Sequence, residues 1–141
     1  MFHGMVKYTK NCNGDHVSEG WGANIIAIPN RPGTKGRRVF NQVTEDNPIH
    51  AIIYDKDSGG VVGVFESTGP CENKPNTGTF ANENNPDLDW PLQIKGMSLI
   101  DTNKVIARTR LEGMINTKVV KGSFQQITPE VYNQIKQHFS R

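Results

Sequence analysis

The sequence predicts an α+β fold carried by one domain, and three observations predict it. The 141 residues match one average domain and are too few for two ordinary cores. Two β-rich runs, IHAIIY and VVGVFES, flank the turn-forming DKDSGG and predict a β-hairpin over residues 49–68. After Ile127 the chain carries the start signals of a helix. Thr128 is the N-cap, Pro129 takes the first helical position and Glu130 stands in the first turn, complementing the helix dipole.

The other elements follow in order. Residues 2–8 mix apolar and β-branched types and read as a short strand. NCNGDHVSEG, residues 11–20, is a polar loop with an Asn-Gly turn signal, and Trp21 follows between Gly20 and Gly22. PNRPGTKG, residues 29–36, is a second, basic loop. Val39, Phe40 and Val43 then fall at helical spacing and predict a short helix over residues 37–45. The near-continuous apolar runs of the hairpin predict central strands covered on both faces. Residues 69–89 lack periodicity and read as a long loop, a kind that is often functional. WPLQIKGMSLI, residues 90–100, resumes a strand pattern. Residues 104–111 suit either a strand or a short helix, and residues 112–124 read as a loop carrying Lys118 and Lys121. In the final helix Ile127 and Tyr132 hold the two places of a hydrophobic staple, and Val131, Ile135 and Phe139 form an apolar stripe.

Composition excludes some functions. The net charge of +2 is too weak to signal a nucleic-acid partner by itself, so the distribution of charge matters more than its sum. No apolar run approaches the roughly 20 residues that span a bilayer, and the first residues lack the features of a signal peptide. A cytoplasmic protein without a membrane partner is expected. Cys12 and Cys71 have no CxxC partner and no histidine pair at zinc spacing, so two free thiols are expected, with no metal and no cofactor.

Catalytic signals are weak. His3, His16, His50 and His138 are scattered, and there is no P-loop or dinucleotide-binding glycine fingerprint. Asp15, His16 and Glu19 offer acid–base groups in the first loop, although a solvated polar loop explains them as well. The chain is therefore not expected to be an enzyme by itself; any catalysis would lie in a separate domain or partner. The aromatics say more. Trp21 lies outside any periodic core run, and as a stacking platform for a base it would contribute roughly 1–3 kcal/mol. Trp90 and Phe80 are further candidate walls, with core packing as the other reading of each.

The order of these features resembles the YTH domain and its prokaryotic relatives. VKYTKNCN, the polar loop, the Gly-Trp pair, the basic segment and the hairpin IIYDKDSGGVVGVFE carry the resemblance, the last through Ser58, Gly59 and Gly63. The second half, WPLQIKGMSLI and LEGMINTKVVKGSFQQITPEVYNQI, is similar to the EVE side of the same PUA-like superfamily. The resemblance covers nearly the whole chain through short motifs. It implies a curved mixed β-sheet or partial barrel flanked by helices, with an aromatic cage for a modified base. By that resemblance Trp21 is the first cage wall and the backbone at Gly22 accepts the hydrogen of a methylated amine. Asn11 or Asn13 meets the base edge, and Lys7 and Lys118 lie near phosphates. The place of a second cage tryptophan falls on Gly96, so either Trp90 or Phe80 supplies that wall or the cage is more open.

The expected function is that of a single modified-nucleotide-binding domain over residues 1–141, free-standing or the amino-terminal module of a larger protein. N6-methyladenine leads as ligand, with 5-methylcytosine or another modified cytosine second. DNA is favoured over RNA, since such relatives select DNA for modification-dependent restriction systems with a fused or partner motor or nuclease. Arg31, Lys35, Arg37, Arg38, Lys118 and Lys121 are the expected backbone contacts. Readings from other classes are a small hydrolase using the Asp15, His16, Glu19 loop and a peptide-interaction module using the exposed aromatics.

Overall fold

The structure is a computed structural model that describes residues 2–9, 25–28, 32–56, 58–73, 92–119 and 124–141. These residues form seven strands and three helices. In chain order they are β1 (Phe2–Thr9), β2 (Ile25–Ile28), α1 (Lys35–Gln42), β3 (Ile49–Asp55), β4 (Gly60–Asn73), β5 (Leu92–Ile100), β6 (Ile106–Ala107), α2 (Arg108–Ile115), β7 (Phe124–Gln126) and α3 (Pro129–Ser140).

All seven strands belong to one mixed sheet in the order β2-β5-β4-β3-β1-β7, with β6 attached to the start of β4. Only β1 and β3 run parallel, Val6 facing Ile52; the remaining pairs are antiparallel. The expected hairpin is the β3–β4 unit, and β3 is buried on both faces as its apolar run predicts.

Alternation along the strands sorts the core into two layers. Ile49, Ala51 and Ile53 of β3 join Val62 and Phe65 of β4, Ile94 of β5, Ile26 and Ile28 of β2, and Phe124 of β7. Val39 and Val43, at the end of α1 and just beyond it, complete this layer. Ile52 and Tyr54 point the other way, with Val61 and Val64, and are covered by Leu111 of α2 and by Tyr132, Ile135 and Phe139 of α3. The first layer is the concave one, because the sheet curls into a half-barrel with both edge strands brought to α1. A Cβ on Gly36 would lie 2.8 Å from the Ile28 side chain of β2 and 4.0 Å from the Phe124 ring of β7. Only a glycine lets the helix seat this closely between the two edges.

Several local readings needed adjustment. The first helix begins at Lys35, two residues ahead of the expected start at Arg37, because Thr34 caps it by accepting from the Arg37 N–H at 3.3 Å. Strand β4 continues to Asn73 through residues expected to be loop. A register shift between Ser67 and Cys71 absorbs Gly69 and Pro70 without ending the ladder. Residues 104–111 are both things at once: a two-residue strand, then the start of α2. Helix α2 runs into the expected loop as far as Ile115 and stops where Asn116 turns left-handed, φ 56°. Strand β2 was not anticipated at all. The final helix matches its signals, Thr128 accepting from the Val131 N–H at 3.3 Å. Its fully buried stripe is Tyr132, Ile135 and Phe139, with Val131 only partly covered.

Cys71 is a free thiol whose sulfur reaches the Val43 carbonyl at 3.6 Å, and burial raises its pKa, holding it in the neutral form. Cys12 lies outside the described residues. Among the described residues no helix is long and apolar enough to cross a membrane, and none of their His, Cys, Asp and Glu groups could hold a metal.

Phe65 is fully buried in the middle of the concave layer. Phe65→Ala is expected to lower stability by about 3–5 kcal/mol, read as a shift of the urea midpoint at unchanged slope.

Candidate functional site

The hairpin motif that carries the family resemblance turns out to be structural. Asp55 accepts from both the backbone N–H and the hydroxyl of Ser58, and Gly59 closes the turn at φ 78°, a left-handed angle that favours glycine. Gly63 faces Ile100, and a side chain there would run into the Leu99 carbonyl of β5.

Candidate groups lie instead along the seam between the edge strands β2 and β7. Helix α1 occupies that seam and begins with Lys35, Arg37 and Arg38 and no acid in its first turn. Cations beside the positive end of a helix dipole are locally unfavourable. An anion at that end would relieve the repulsion, since helix N-termini and cationic side chains both favour phosphate. Lys35 and Arg38 are exposed and Arg37 is half-buried.

Lys118 lies on the other face of the sheet, where its neighbour Val119 packs with the α2 and α3 layer. It is exposed, and its segment is tied down at several points. The Val119 N–H donates to Glu112 at 2.8 Å and the Lys118 carbonyl accepts from Gln125 at 3.0 Å. Arg108 reaches the Val119 carbonyl at 3.5 Å and pairs with Glu112 one helical turn along. Sequence reading passed over Arg108 and Glu112 as positioning groups, although an i,i+4 Arg–Glu pair is a readable signal.

The seam is also where the first long connection is anchored. Strand β1, beside β7, ends at Thr9, and β2, on the far side of the seam, begins at Ile25. Asn11, Asn13, Trp21 and Gly22 belong to that connection and lie outside the described residues, as do Arg31, Phe80, Trp90 and Lys121 and the Asp15, His16, Glu19 group. Lys7 is placed through its backbone, between Ile53 of β3 and Phe124 of β7. The segment with Phe80 and Trp90 joins the sheet at Leu92, which pairs with Ile28 at the opposite end of the β2–β5 ladder from Ile25.

Gly96 is the position where the resemblance places a second aromatic residue. It is buried opposite Ser67, and a Cβ there would stand 2.5 Å from the Phe65 ring and press on the Glu66 carbonyl. A tryptophan at this position has no room.

On the opposite face, Glu66 accepts from Lys136 at 2.6 Å and from the Tyr132 hydroxyl at 3.0 Å, and His50 stacks on Tyr132 with ring centres 5.4 Å apart. The Lys136 hydrogen bond chiefly holds the Glu66 carboxyl below its ordinary range; the Tyr132 hydrogen bond and the charges of Lys136 and His50 act in the same direction, against burial. Burial, then the Glu66 charge and hydrogen bond, push the Tyr132 hydroxyl far up, so it stays a donor. This group fastens α3 to β3 and β4 and leaves no activated nucleophile or base.

No family model matches the chain, and no curated protein matches it. Among solved structures it is similar to the YTH domain of the Zygosaccharomyces rouxii MRB1 protein in complex with N6-methyladenosine RNA, at 14% identity and a TM-score of 0.63, covering 99% of this chain and 86% of that one. It is also similar to the Pho92 YTH domain in complex with m6A, at 16% identity and a TM-score of 0.62, covering 98% and 87%. The class is therefore an α+β half-barrel, and the particular fold is that of YTH domains. At these identities the likeness is one of fold.

Two predictions follow from this geometry. Gly96→Ala is expected to cost about 1–3 kcal/mol through overpacking against Phe65 and Glu66, measured by chemical denaturation. The carboxyl of Glu66 is lowered from 4.5 on folding, so its contribution is present above that value and is lost as pH falls below it. Because the pair is partly exposed, it amounts to about 0.5–1 kcal/mol after screening. Thermal melts should show Glu66→Gln less stable than wild type at neutral pH, with the gap closing as the pH drops below 4.5.

Proposed function

We propose that this chain is a reader of a methylated base, with N6-methyladenine in single-stranded RNA as its first ligand, and that it is not itself a catalyst. The observation that carries this reading is a fold shared over nearly the full chain with two YTH domains held with N6-methyladenosine. The basic residues that open α1 add an independent reason, since Lys35, Arg37 and Arg38 suit a phosphate backbone, and Lys118 is a further proposed contact.

In this proposal the base enters beside the seam. Trp21 supplies one wall and Trp90 or Phe80 the other, while Asn11 or Asn13 meets the base edge and the Gly22 backbone accepts the remaining amine hydrogen. Ile25 and Leu92, where the two tryptophan-bearing segments join the sheet, end a ladder of four residue pairs, roughly 10 Å long at the usual strand rise. That separation supports two walls closing on one base. Stacking then contributes roughly 1–3 kcal/mol and burial of the methyl about 0.8 kcal/mol more. Single-stranded RNA offers the base already unstacked, whereas a duplex first costs a few kcal/mol for flipping. Lys7, Arg31 and Lys121 complete the proposed phosphate contacts.

A second reading keeps the cage and exchanges the target for DNA or for a modified cytosine, as in the recognition module of a restriction system. Its support is the sequence resemblance alone. A peptide-binding module is the reading from another class.

The test is a titration of labelled oligonucleotides carrying adenine, N6-methyladenine, cytosine or 5-methylcytosine, as single and double strands of RNA and DNA. A preference of roughly tenfold or more for N6-methyladenine in single-stranded RNA is expected, and Trp21→Ala should remove it. Preference for a duplex DNA or for 5-methylcytosine would move the assignment to the second reading. Equal weak binding throughout, unchanged by Trp21→Ala, would overturn the reader role. The same titration across salt should give a slope that falls by about 0.7 for each phosphate contact removed, tested with Lys35→Ala and Arg38→Ala.

A further inference from the structure

We draw no further inference here: the strongest candidate, the exposed apolar ledge of Met97 and Leu99 on the face of β5 beside α3, carries nothing because no feature of the structure shows what covers it.

Discussion

Between β2 and β7 the curled sheet would stand open were it not for α1, and the seating of that helix is the constraint on which the rest depends. Gly36 lets the helix come within van der Waals contact of an isoleucine on one edge and a phenylalanine on the other. The contact turns a twisted sheet into a half-barrel with a closed apolar interior. It also fixes where Lys35, Arg37 and Arg38 emerge, because a helix held at its second residue cannot rotate its first turn away. Packing and electrostatics are thus settled by one contact. The core needs the helix plugged into the seam, and the plug carries the positive charge to the edge of the proposed site.

Elements with self-contained local signals were legible in the sequence. The β3–β4 hairpin announces itself through DKDSGG, and α3 through Thr128, Pro129 and the stripe that follows. Other elements depend on partners far along the chain. Strand β2 is four residues long and owes its existence to β5, which supplies its hydrogen bonds. The extension of β4 past Gly69 and Pro70 is paid for by the ladder to β5, where propensity alone argues for a turn. Arg108 and Glu112 gain meaning only when the chain beyond Asn116 folds back on them. At the candidate site the charges of α1 and Lys118 were readable, while the exclusion of a side chain at position 96 required the distance to Phe65.

The residues that carry the family resemblance divide by role. Ser58, Gly59 and Gly63 answer to a tight turn and a close approach of strands, so they specify the shape of the sheet. The groups proposed to touch a base lie outside the described residues. A likeness of 14–16% identity spread over nearly the full chain is what such a division produces. Few side chains are needed to define a curled sheet, and recognition can vary on top of it.

Strand β1 has one more consequence, for the order in which the molecule can assemble. The first segment of the chain lies inside the sheet, with β3 on one side and β7, residues 124–126, on the other. Helix α3 then packs over β1, β3 and β4. During synthesis β1 must therefore wait until Phe124–Gln126 has been made before its second edge is covered. Pairings this distant in sequence form slowly, and an unpaired strand edge invites association with other chains meanwhile. The half-barrel is thus a late-closing structure, and β1 keeps an unpaired edge until β7 and α3 have been made.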